Sequence, residues 1–120
     1  MLNKKNKIYK KKEKEDVFRG GKSSFNNFLG VRALKTDSKD TRFVIVVSAR
    51  VSKKAVERNK IKRQLNEVAR LNLKLLQPGY DFFILALPPI INKNFHEIEG
   101  IFLFHCKKLK TTILKTQHNA

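Results

Sequence analysis

Residues 51 to 70 read VSKKAVERNKIKRQLNEVAR, and no other stretch limits the fold as strongly. Apolar residues recur three or four apart: Ile61, Leu65, Val68 and Ala69, then Leu75 and Leu76. On a helical wheel they share one arc, which predicts a helix from about Ala55 to Leu76, ended by Pro78-Gly79. Asn59, Lys62, Arg63, Asn66, Arg70 and Lys74 fall on the opposite side. Such a helix must dock its apolar arc on a core and present a cationic surface outward.

The rest of the chain supplies that core. FNNFLGVRALK alternates as a strand does, with Leu29, Val31 and Ala33 on one side and Phe28, Arg32 and Leu34 on the other. TDSKD is a turn-forming cluster, which accounts for Asp37 and Asp40. TRFVIVVSA is β-branched and nearly continuous, the pattern of a central strand covered on one face and partly on the other. YDFFILAL is a further strand stopped by Pro88-Pro89, and it sends Phe82 and Phe83 to opposite faces. Asn94 and Glu97 have capping-box spacing at the start of a last helix, expected from about Phe95 to Leu114. Phe95, Ile98, Phe102, Cys106, Leu109 and Ile113 form its core stripe. A short helical turn through Glu13–Phe18 precedes Gly20-Gly21. Together these elements predict a single α+β domain over residues 13 to 115, with no internal repeat. Residues 1 to 12 are expected to form a basic, mobile arm, and residues 116 to 120 a tail.

Charge then narrows the function. The 120 residues carry 27 Lys and Arg against 10 Asp and Glu, a formal net charge of +17. That excess opposes compaction by self-repulsion and suggests a polyanionic partner. Residues 50 to 63 hold Arg50, Lys53, Lys54, Arg58, Lys60, Lys62 and Arg63 against one acid, Glu57. An ordinary solvated helix face intersperses acids with its cations, so a phosphate-binding surface is the better account. Arg offers a planar fork to two oxygens, Lys a point charge, and Asn59 a neutral donor. The first fourteen residues add seven Lys, which either solubilise the chain or contact phosphates. No apolar run approaches the roughly 18 residues that span a bilayer, and the start lacks a signal-peptide core. No membrane partner is expected, and the lone Cys106 fits a reducing, cytoplasmic setting.

VVSARVSKKAVERNKIKRQLNEVAR followed by LQPGYDFFILAL closely resembles the protein subunit of bacterial ribonuclease P. That family carries an Arg-Asn-Arg triplet, then a branched apolar residue and two cations, on a helix entered from a strand that ends in a Ser-Lys-Lys-like run. Here the triplet reads Arg58-Asn59-Lys60, followed by Ile61-Lys62-Arg63, and Ser48-Ala49-Arg50 stands at the run. Lys53, Lys54, Ala55 and Val56 match the basic link. Arg42 matches the start of the central strand, and Pro78-Gly79-Tyr80-Asp81 matches the entry to the next. Asp16-Val17-Phe18 with Gly21 resembles the end of the family's first helix. The chain departs from the pattern at Lys60, Asn66 and Ala69, and at Lys14 and Arg32, where aromatics are common in the family.

The resemblance implies a mixed sheet of about four strands sandwiched with helices. It also implies a long helix in a left-handed βαβ crossover, an exception to the usual hand. It makes a large RNA, using bound Mg²⁺, the catalyst that releases the 5′ leader of precursor tRNA, with this chain as accessory subunit. The RNA-binding residues would be Arg50, Lys53, Lys54, Arg58, Asn59, Lys60, Lys62, Arg63 and Arg70. Leader contacts would come from Phe18, Phe28 and Arg32, joined by whichever of Phe82 and Phe83 faces the cleft. The residues themselves suggest no protein catalyst: His96, His105 and His118 lie in or after the last helix without carboxylate or thiol partners at ligand spacing. A ribosomal or general RNA-chaperone protein would explain the charge equally well; a membrane-surface protein fits less well, because the helix lacks bulky interfacial aromatics.

Overall fold

The computed structural model describes residues 2–113. Its elements are α1 (Lys11–Gly20), β1 (Lys22–Phe25), β2 (Leu29–Lys35), β3 (Arg42–Val46), α2 (Ala55–Leu71), β4 (Tyr80–Ala86) and α3 (Phe95–Lys108). The four strands form one mixed sheet in the order β1-β2-β4-β3. β1 pairs antiparallel with β2, β2 antiparallel with β4, and β3 parallel with β4. A parallel pair needs a crossover, and α2 is that crossover.

One face of the sheet carries the core. Leu29, Val31 and Ala33 of β2, Phe43 and Ile45 of β3, and Phe82, Ile84 and Ala86 of β4 are buried there. Ile61, Leu65, Val68 and Ala69 of α2 and Ile98, Phe102 and Cys106 of α3 close over them. Phe43 stacks on Phe82 with ring centroids 5.2 Å apart, and Phe102 tilts against both. The apolar arc of α2 is therefore the docking face that the periodicity predicts.

Several boundaries differ from expectation. α2 ends at Leu71 rather than Leu76, because the Asn72 amide donates to the Val68 carbonyl at 2.8 Å and to Glu99 at 2.9 Å. A separate 3-10 turn, Leu73–Leu75, follows; it exposes Leu75 and buries Leu76. α3 opens on the predicted capping box, Asn94 Oδ1 accepting from Glu97 N at 2.9 Å and Glu97 Oε1 from Asn94 N at 3.0 Å. It stops at Lys108, not Leu114: Lys110 turns left-handed (φ 57°) and the Thr111 N–H and hydroxyl both donate to the Cys106 carbonyl. Ile113 thus lies beyond the helix and is exposed, off the core stripe. Residue 114 and the tail at 116–120 lie outside the described residues.

Three further differences concern the N-terminal third and the sheet edge. α1 spans Lys11–Gly20, longer than the turn expected at Glu13–Phe18. The fourth strand that the resemblance implies is β1, whose segment was not located in the sequence; Lys22-Ser23-Ser24-Phe25 is short and lacks β-branched residues. β3 is an edge strand, not a central one. Its free edge is covered by the segment expected as an arm: Ile8 N donates to the Phe43 carbonyl at 2.9 Å, and Leu2, Asn6 and Ile8 are buried. Two apolar residues diluted among lysines hid that docking.

Candidate nucleic-acid interface

The turn before α2 engages Glu57, the one acid among residues 50 to 63. Glu57 pairs with the Ser52 hydroxyl, which also accepts from Lys54 N at 3.1 Å. Arg58 donates to the Ser52 carbonyl at 2.9 Å, so this arginine also braces the helix entry. Arg50, Lys53, Lys54, Asn59, Lys60, Lys62 and Arg63 are exposed, and the six lysines and arginines from Lys53 to Arg63 make no ion pair among the described residues. Arg70 differs. It grips Glu67 through Nε and Nη2 at 2.7 to 3.2 Å, and its guanidinium holds the Glu67 carboxyl down to about 2. Its charge is largely answered within the chain, unlike that of the residues nearer the helix start. Asn66 turns its amide back to the Lys62 carbonyl at 2.9 Å.

The other face of the sheet is only partly covered, by α1. Val17 anchors that helix and is fully buried. Arg42 ties it to the sheet, donating to both Asp81 oxygens at 2.9 and 2.7 Å and to Glu13 at 3.2 Å. Asp81, the strongest of these partners, raises the Arg42 pKa above its ordinary value, so the guanidinium stays charged. The next residue, Phe18, remains 46% exposed and meets Phe83 edge to face at 5.3 Å. This resolves the open choice on β4: Phe82 is core, and Phe83 lies on the α1 side.

Arg32 completes the cluster. Its guanidinium carbon lies 4.5 Å from the Phe18 ring centroid and 5.4 Å from that of Phe25. Phe25 was absent from the expected site because its strand was; it is 49% exposed and stands opposite Gly30 in the β1–β2 register. A Cβ at Gly30 would fall inside the Phe25 ring, so only glycine lets the ring lie across β2. The pair Phe25 and Gly30 was the readable signal. Phe28 does not join this cluster. Its N–H and that of Leu29 bond to Asn26 Oδ1 in a turn before β2, and its ring packs against the core with Lys93 Nζ 4.7 Å from the centroid.

Two grooves link these surfaces. One is lined by Lys11, Lys14, Glu15, Phe18, Arg19 and Phe83. The second is lined by Lys7, Tyr9, Lys14, Val44, Lys62 and Asn66, among others. Lys14 lines both, so the two grooves adjoin there and form a channel-like path between Lys62 and Asn66 of α2 and the Phe18–Phe83 pair. Its walls offer cations for phosphates and rings for bases.

Groups with chemical reactivity lie elsewhere. His105 is buried in α3, with Nδ1 2.7 Å from the Ser24 hydroxyl and Nε2 without a partner among the described residues. Burial pushes its pKa down. Burial also pushes the Cys106 thiol up to about 12, which keeps it a protonated, apolar filler. Among the described residues no three His, Cys, Asp or Glu side chains gather as a metal-ligand set. Among the described residues no helix is long and apolar enough to cross a membrane.

Comparison with known proteins bears on this arrangement. A family model described as Ribonuclease P matches residues 2–110. The ribonuclease P protein component of Clostridium botulinum (strain 657 / Type Ba4) is 39% identical over 106 residues, covering 88% of this chain and 95% of the relative. That of Synechocystis sp. is 37% identical over 93 residues, covering 73% of this chain and 75% of the relative. The Staphylococcus aureus RNase P protein superposes with a TM-score of 0.80 over 88% of this chain and 96% of that one, at 23% identity. The Thermotoga maritima RNase P protein does so with a TM-score of 0.67 at 27% identity, over 73% of this chain and 83% of that one.

Proposed function

The chain belongs to the ribonuclease P protein family, and from that premise we propose that it binds the catalytic RNA through α2 and the 5′ leader of precursor tRNA through the channel. The observation that carries this reading is the groove lining shared at Lys14, with Lys62 of α2 in one groove and Phe18 and Phe83 in the other. Lys53, Lys54, Lys60, Lys62 and Arg63, with Asn59 as a neutral donor and Arg50 beside them, hold RNA phosphates; Arg58 adds a contact while bracing the helix. Arg70, paired to Glu67, adds least.

Leader nucleotides then thread past Lys14 toward α1, where Phe18 offers a ring face and Lys11 a cation. Phe28, set apart with Lys93, is not part of this path.

The chain contributes binding and orientation, and the RNA performs the hydrolysis that frees the tRNA 5′ end. Mg²⁺ in this reading belongs to the RNA subunit. Among the described residues no three His, Cys, Asp or Glu side chains gather as a ligand set for it. The cytoplasm, where precursor tRNA is made, is the matching location. A general RNA-chaperone role would use the same charge without needing the aromatic channel.

The test is precursor-tRNA cleavage by a bacterial ribonuclease P RNA at low Mg²⁺, with and without this protein. Accurate 5′ cleavage that depends on the protein is the expected result. Equal cleavage in both arms would contradict the proposal.

A further inference from the structure

Arg32 is the described arginine best placed to read a base. Unlike Arg42 and Arg70 it has no acid partner among the described residues, and its Nε is buried without any acceptor. Its guanidinium lies within cation–π reach of both the Phe18 and the Phe25 rings, 4.5 and 5.4 Å from their centroids. A guanidinium held this way loses little further freedom on binding. With Nε closed off, the Nη1–Nη2 edge is the part of the fork left for a ligand. A two-pronged donor edge calls for two adjacent acceptors.

We infer that Arg32 reads a guanine in the bound RNA, its two terminal N–H groups donating to O6 and N7 while the Phe18 and Phe25 rings flank the base. The inference rests on the leader-channel reading above and adds a base preference to it. A phosphate also offers two acceptors, but here it would sit against the electron-rich faces of Phe18 and Phe25. Phosphates are better served by Lys11 and Lys14 on the same groove. Along their N7 edges, guanine presents two acceptors, whereas adenine pairs an acceptor with a donor. A lysine at this position would keep the charge and lose the fork.

The experiment uses holoenzyme reconstituted with a bacterial ribonuclease P RNA. Its ligands are precursor tRNAs with uridine leaders in which a single guanosine is moved through successive positions. Guanosine at one position is expected to tighten binding by about tenfold. Replacing it there with 7-deazaguanosine, which lacks the N7 acceptor, should erase most of that gain with the protein unaltered. Arg32→Lys should erase it as well, so that the guanosine and all-uridine leaders bind the variant holoenzyme alike. The inference is overturned if no position prefers guanosine, if another base is preferred, or if Arg32→Lys weakens every leader equally, as a phosphate contact would. If wild-type holoenzyme binds the all-uridine precursor no better than mature tRNA, the leader-channel reading fails too, and the two failures are thereby distinguished.

Discussion

Asp81 is buried near the start of β4, and Arg42 is its ion-pair partner. Removing Arg42 would strand that carboxylate and release α1, so Arg42→Ala should cost about 3–5 kcal/mol of stability in chemical denaturation. A loss below about 1 kcal/mol, the worth of a surface ion pair, would mean the pair is solvated. His105 makes a pH prediction. Its pKa is lowered from 6.5 by burial, so on acidification the unfolded chain takes up a proton before the folded one. The stability it contributes is complete above the unfolded value and declines as pH falls toward the lower folded one. The melting temperature should therefore fall as pH drops below 6.5, and fall less in His105→Gln. Equal slopes in both proteins would exclude His105 as the cause. Neither residue's role was legible beforehand: Arg42 matched a family position, but its partners Glu13 and Asp81 are brought together only by the fold.

At the level of elements, the periodic stretches were readable and the short ones were not. α2 and its two faces follow from spacing alone, because an amphipathic arc of four buried residues leaves one way to dock. Its end was misjudged because Asn72, an inconspicuous residue in sequence, caps the helix by its own side chain. β1 escaped notice because Ser-Ser-Phe carries no strand signal, and Phe25 and its contact with Arg32 went unnoticed with it. The face assignment is testable in two ways. Leu65→Ala should cost about 2–5 kcal/mol, whereas Asn66→Ala, on the outer arc, should cost little; equal stabilities would mean a rotated helix. Lys62 and Arg63 are exposed and make no ion pair among the described residues. Replacing both with Ala should leave the fold intact and lower the log–log salt slope of RNA binding by about 1.4–1.8. An unchanged slope would remove this face from the interface.

Across the whole molecule, charge and aromaticity are sorted onto one continuous surface. The sheet buries one face under α2 and α3, and the other, half-covered by α1, carries the channel. Composition indicates only that a polyanion binds, and the resemblance to the ribonuclease P family supplies which one. The channel itself comes from the parallel β3–β4 pairing and the docking of residues 2–8 on the β3 edge, contacts between residues distant in sequence. In the proposed function, Phe18 is the point where that surface meets the leader. The decisive measurement is a pair of affinities, for precursor and for mature tRNA, with wild-type and Phe18→Ala holoenzyme. The account predicts that Phe18→Ala weakens precursor binding by about 1–3 kcal/mol and leaves mature tRNA binding as it was. Equal losses for both RNAs would make Phe18 structural and contradict the leader channel.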